Sequence, residues 1–208
     1  MEQRTSEWRL ARLGKATGSR IADIVARTKT GFSTSRANYA AQLVCERLTG
    51  TQAESYLSPV MTWGIEKEPQ ARRLYEFEHD VEVLCVGFLD HPTVPMSGAS
   101  PDGLVGEAGL VEVKCPLTAT HIDTVLGQAI AGRHVTQMQW QMAVTGRSWC
   151  DFVSYDPRLP ADLRLFVRRV HRDGTMIAEL ESAVAAFLGE VEAALARLQN
   201  LARRAEAA

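Results

Sequence analysis

The chain has 208 residues, 46% of them apolar and 23% charged, with a formal charge of −2. That length suits a single domain over residues 1–208 with material for a sizeable core, and the composition excludes disordered and fibrous classes. No apolar run is long enough to span a membrane, and Met1 to Gly14 is too charged for a secretory signal, so a cytoplasmic protein without membrane contact is expected. Cys45, Cys85, Cys115 and Cys150 stand singly, with no CxxC and no cysteine–histidine cluster. They are expected to be buried, reduced thiols rather than disulfide partners or zinc ligands. Charge is uneven along the chain: residues 1–50 carry nine Lys/Arg against four Asp/Glu, and residues 51–120 carry four against eleven. A protein that holds phosphate in one region and metal in another would be divided in this way.

In chain order, Trp8, Leu10 and Leu13 alternate with Arg9 and Arg12, and Thr17-Gly18-Ser19 precedes Ile21, Ile24 and Val25 at helical spacing. A helix capped near Thr17 to Ser19 follows, whose free amides beside an arginine could hold a phosphate. Residues 28–32 read as a basic, glycine-containing loop with Lys29. Residues 33–48 read as a helix with Tyr39, Leu43, Val44 and Leu48 inward and Gly50 as its stop. Residues 61–79 are largely helical, with Ile65, Leu74, Tyr75 and Phe77 apolar and Pro69 near a first turn or a kink. Glu68, directly before that proline, is the carboxylate of this segment expected to face a metal site.

Residues 81–90 and 94–99 read as strands, the second feeding the turn Pro101-Asp102-Gly103. Leu110 to Cys115 alternates around β-branched residues and reads as a strand. Val111 and Val113 point into the core, and Glu112 and Lys114 share a wet face. Helices are expected over 118–131 and 134–145. The second ends at Gly146 and carries Gln137, Gln141 and Val144 along one side, so Gln137 matters only if that helix packs beside Glu112. Strands over 148–155 and 163–170 flank the turn DPRLP. From Asp173 a long amphipathic helix is built on Ile177, Leu180, Val184, Phe187, Leu188, Val191, Leu195 and Leu198.

Asp102 and Glu112 supply the hard oxygen ligands that magnesium prefers, and the Val113 carbonyl lies between Glu112 and Lys114. Near bound cations Lys114 would surrender a proton more readily and could orient or deprotonate an attacking water. Taken separately, Pro-Asp-Gly is a common turn and Glu-x-Lys a common solvated face. Together, Pro101-Asp102 followed by Glu112-Val113-Lys114 resembles the motif of the PD-(D/E)xK nuclease superfamily.

A closer resemblance, covering nearly the whole chain, is to the phage lambda exonuclease and YqaJ-type viral recombinase family. It is carried by WRLARLGKATGSRI, WGIEKEPQARRLYEF, the SPDG to VEVKCP block, QMQWQMAVTG and FVSYDPR. The resemblance implies an α/β fold with a restriction-endonuclease-like core, a central mixed β-sheet flanked by helices, and a long C-terminal helix. It implies a processive exonuclease that degrades the 5′ strand of double-stranded DNA and leaves a 3′ overhang for recombination through a single-strand annealing protein. Two Mg2+ ions per site, with Mn2+ as a substitute, would sit on Asp102, Glu112 and the Val113 carbonyl. Lys114 matches the family's catalytic lysine, Glu68 its helix glutamate and Gln137 its water-placing glutamine. Arg12, Ser19 and Ser100 match the 5′-phosphate pocket, Met61 the wedge that parts the terminal base pair, and Lys29 a groove contact. Relatives form a homotrimeric ring around DNA, and a phage or prophage gene in a bacterial host is implied. Two other readings remain: an endonuclease of restriction or junction-resolving type, and an inactive fold that only binds DNA ends.

Overall fold

The computed structural model describes residues 2–52 and 58–206. Its centre is a five-stranded mixed sheet, built where β-branched and aromatic residues alternate with small or polar ones. The strands are β4 (Val83–Leu84), β7 (Gly103–Val105), β8 (Gly109–Lys114), β9 (Trp149–Tyr155) and β10 (Leu165–His171), in the order β10-β9-β8-β7-β4. β8 and β9 run parallel, with Glu112 opposite Phe152 and Lys114 opposite Ser154, and the other pairs are antiparallel. A parallel pair needs a crossover, here α5 (Thr118–Gly127) and α6 (Gly132–Thr145).

The side-chain period of two sorts β8 onto two faces. Val111 and Val113 pack with Val153 against Ala71 and Tyr75 of α4 (Pro59–His79). Leu110 packs with Phe152 against Met138 and Met142 of α6. A third cluster joins α2 (Ile21–Val25), α3 (Thr34–Thr49) and α7 (Gly174–Glu206) around Ile21, Tyr39, Trp140, Val184 and Phe187. Beside it lies a small sheet of β1 (Ala16–Thr17), β6 (Ser97–Ala99) and β5 (Leu89–Asp90), and α1 (Ser6–Arg12) precedes it.

Several sequence expectations change. Glu112 is fully buried, because α6 covers the face expected to be wet. The presumed cap near Thr17 is a 3-10 turn over Gly18–Arg20 without a side-chain cap bond, and α2 has only five residues, so little helix dipole is on offer there. The loop at 28–32 is a two-stranded hairpin of β2 (Arg27–Thr28) and β3 (Gly31–Phe32). The helix expected over 118–131 stops at Gly127, with Gln128 in the left-handed region at φ 46°. Residues 81–90 and 94–99 form only short strands.

Pro69 lies in the interior of α4, which begins at Pro59 with Ser58 as its N-cap. Its missing N–H leaves the Ile65 carbonyl without the usual intrahelical donor. Leu48, Phe77 and Leu198 are exposed rather than inward, and Cys45 and Cys85 are exposed while Cys115 and Cys150 are buried. Periodicity places a residue on a face, but only tertiary neighbours decide whether that face is covered. Among the described residues no helix is long and apolar enough to cross a membrane.

Candidate active site

β8 presents Glu112 and Lys114 on the face beneath α6. The Lys114 ammonium hydrogen-bonds Glu112 Oε1, and Gln137 Nε2 donates to the same oxygen at 2.7 Å. Gln141 Nε2 donates to Oε2 at 2.6 Å. Residues four apart on a helix share a face, so α6 brings both amides onto one buried carboxylate. A buried charge is tolerated where it is paired and hydrogen-bonded in this way. The Gln137 condition is therefore met: its helix packs beside the Glu112 strand.

The Pro101-Asp102-Gly103 turn folds Asp102 back, and its Oδ2 accepts from the Val113 backbone N–H at 2.8 Å. Burial, followed by the charges of Glu112 and Glu68, holds the Asp102 carboxyl well above the usual carboxylate range, against the opposing pull of Lys114. A carboxyl placed so is short of positive charge. Lys114 is pushed in the other sense: burial disfavours its charge, but Glu112 and Asp102 outweigh it and raise its pKa. In this arrangement the ammonium stays protonated, so any deprotonation must follow a change in the charges around it.

Asp102, Val113, Lys114 and Glu68 line a cleft of about 540 Å³ with Met61, Ile65, His134 and Ser154. The Glu68 carboxylate is held by the Arg4 guanidinium, with Arg72 Nη1 at 3.7 Å from its other oxygen. Among the described residues no three His, Cys, Asp or Glu side chains gather at metal-binding spacing; Glu112 and Glu68 both act on Asp102 by charge, and the carboxylates contributed by the turn and by β8 are Asp102 and Glu112. Both are hard oxygen ligands of the kind that suits magnesium. Other nucleophiles are poorly placed. Burial and the carboxylates push the Cys115 thiol up to about 12, and burial with Lys114 and Arg133 pushes His134 down to about 4.

A second cavity, of about 420 Å³, adjoins the first and is lined by Trp8, Arg12, Ser19, Arg20 and Tyr39. Arg12 lies 4.2 Å over the Trp8 ring and donates to Ser100 Oγ at 3.3 Å, and Trp8 Nε1 donates to the same oxygen at 2.9 Å. With its lone pairs occupied, the Ser100 hydroxyl keeps its own proton to give. Burial lowers the Arg12 pKa against the opposing pull of Tyr39 and Glu46, and the Glu46 carboxylate lines the same cavity. The structure thus brings Arg12 and Ser100 together, with Ser19 exposed on the same cavity. Met61 is half-exposed and lines both cavities; Lys29 is exposed on the β2–β3 hairpin and lines neither. Gln141, Trp8 and Arg4 were not singled out from sequence. The i,i+4 spacing of Gln137 and Gln141 was the available signal for the first, and nothing local marks the other two.

A profile described as a YqaJ-like viral recombinase domain matches residues 7–148. No curated protein matches the chain. Among solved structures, the chain is 50% identical to an alkaline exonuclease, LHK-Exo, from Laribacter hongkongensis, with a TM-score of 0.90 over 96% of this chain and 99% of that one. The same enzyme in complex with dAMP matches equally well. A phage related exonuclease from Haemophilus somnus 129PT, 16% identical with a TM-score of 0.68 over 87% of this chain and 96% of that one, shares the fold.

Proposed function

The chain belongs to the YqaJ-like viral recombinase family, and from that premise we propose that it is an exonuclease that digests double-stranded DNA from 5′-phosphorylated ends. The observation that carries this reading is the adjacency of two unlike cavities. One is lined by Asp102 and by Lys114, which is hydrogen-bonded to the buried Glu112; the other is lined by Arg12, which donates to Ser100, and by Ser19. A terminal phosphate differs from interior ones in charge and in having a free end, so a dedicated anion pocket beside the reactive groups selects ends and sets polarity.

Asp102 and Glu112, with a backbone oxygen of Val113, are the groups that would hold two Mg2+ ions, with Mn2+ as a substitute. The raised Asp102 carboxyl fits a site completed by cations. Such ions supply charge neutralisation at the phosphate and acidify water. The protein's own part is positional. Gln137 and Gln141 fix the Glu112 carboxylate, and Lys114 stands at the cleft as the ammonium that orients a water or stabilises developing charge. Met61, which lines both cavities, would part the terminal base pair. Digestion of one strand would leave a 3′ overhang for a single-strand annealing protein, and a ring of three subunits around DNA would make digestion processive.

The test is incubation of end-labelled linear duplex and closed circular DNA with magnesium, with manganese and with EDTA. Loss of linear duplex alone, from its 5′ ends and only with metal, is the expected result. Nicked circles would indicate an endonuclease, and intact DNA an end-binding protein; either outcome rejects the proposal.

A further inference from the structure

Arg4 stands where the cavities meet. It lines the Asp102–Lys114 cleft, the Arg12 cavity, and a third opening of about 430 Å³ bounded by Glu2, Glu68, Arg72 and Asp102. Its backbone has φ 70°, a left-handed conformation that a non-glycine residue adopts only where its neighbours enforce it. Those neighbours are on either side. Gln3 Nε2 donates to the Val86 and Pro101 carbonyls at 3.0 and 2.8 Å. Thr5 caps α1, accepting from the Trp8 N–H at 3.3 Å and donating to the Glu2 carbonyl at 2.9 Å. The amino-terminal arm is therefore pinned before and after Arg4, and the long side chain between the pins is aimed over Glu68.

The Arg4 side chain remains 42% exposed, whereas Glu68 is 15% exposed. An ion pair that open to water is weak and exchangeable. Glu68 also has a second cation, Arg72 one helical turn along α4, with Nη1 3.7 Å from its other oxygen. Glu68 thus keeps a counter-charge if Arg4 leaves. A guanidinium on a pinned backbone, beside a replaceable partner and between two sites for successive phosphates, has the charge and the fork geometry for a phosphodiester oxygen.

We propose that Arg4 is a DNA-binding residue that exchanges Glu68 for the first internucleotide phosphate of the strand running from the Arg12 cavity into the Asp102–Lys114 cleft. This rests on the reading of the two cavities as end-binding and reactive sites. It adds that the free protein holds a further phosphate ligand in reserve on Glu68.

The experiment measures binding of a 5′-phosphorylated duplex by fluorescence anisotropy in EDTA, over a range of salt. Arg4→Ala should weaken binding about tenfold, the loss of one charge-assisted contact, and lower the slope of log affinity against log salt by about one. A duplex with a neutral methylphosphonate at the first linkage should bind the parent about as weakly, and should bind Arg4→Ala no worse than the ordinary duplex does. Glu68→Gln separates this from a mere strap. If Arg4 only fastens the arm, breaking the pair from either side weakens binding alike; if Arg4 is a phosphate ligand, Glu68→Gln binds as tightly as the parent or more so. An unchanged salt slope in Arg4→Ala, additive losses with the methylphosphonate, or equal losses in Arg4→Ala and Glu68→Gln would each overturn the proposal. Metal-dependent digestion of linear duplex by the parent is scored separately, so failure of the exonuclease reading is distinguishable from failure of this one.

Discussion

Glu112 receives donors from three side chains on two elements, and each donor has a different consequence when removed. Gln141→Leu leaves one carboxylate oxygen in the core without its amide, and a lost partner to a buried charged group costs about 1–3 kcal/mol. A lowered melting temperature is the expected result, read by circular dichroism. Lys114→Ala removes the only ammonium of the cleft lining among the described residues, so cleavage should fall by at least about a hundredfold, the usual scale for a positioned proton-transfer or charge-stabilising group. Binding to DNA ends should persist in that variant. Arg12→Ala should abolish the preference for 5′-phosphorylated over 5′-hydroxyl ends, measured as the ratio of initial digestion rates. The grouping of Asp102, Glu112 and Lys114 was legible because they lie close in sequence on one turn and one strand. The burial of Glu112 was not, since it depends on a helix 20 residues downstream folding over that strand. Arg4 was illegible altogether: its meaning comes from contact with Glu68, 64 positions away.

At the scale of elements, close backbone approach explains positions that pattern alone leaves blank. A Cβ on Gly98 in β6 would meet the Leu89 carbonyl oxygen at 2.2 Å and the Phe88 ring at 2.5 Å. Gly98→Ala should therefore destabilise the small sheet by about 3 kcal/mol, at the upper end of overpacking costs, and appear as a drop in the urea midpoint. The turn between β9 and β10 is tied by Asp156, fully buried, whose carboxylate accepts from Arg158 N, Nε and Nη2 at 3.0, 2.7 and 2.9 Å. Burial opposes ionisation, but hydrogen bonds from Arg158 and Thr118 outweigh it and lower the pKa to about 2 from an ordinary 3.8. A lowered folded-state pKa adds stability above the ordinary value and loses it as pH falls towards the lower one. Between pH 3.8 and about 2 the parent's melting temperature should decline more steeply than that of Asp156→Asn. The long helices and β8 to β10 were anticipated within a few residues because their periods are strong. β4 to β6 fall inside the stretches 81–90 and 94–99 read as strands but are shorter than expected, since strands of two or three residues leave too short a pattern to fix their ends.

For the whole molecule, the mixed five-stranded sheet, its flanking helices and the 33-residue α7 match the architecture expected from sequence. Size-exclusion chromatography with light scattering should return about three times the 22.9 kDa chain mass if the ring of three forms. A monomer mass at micromolar concentration would remove the ring and its account of processivity. The placement of Glu112 and Lys114 has a wider effect. β8 is the third of five strands, paired with β9 along its whole length and with β7 as far as Val111. Glu112 and Lys114 consequently share an anvil that cannot slide, and whatever adjustment the nucleic acid demands must be made by the parts laid over it. Speed could then be altered by mutating the pinned amino-terminal arm without touching the tool itself.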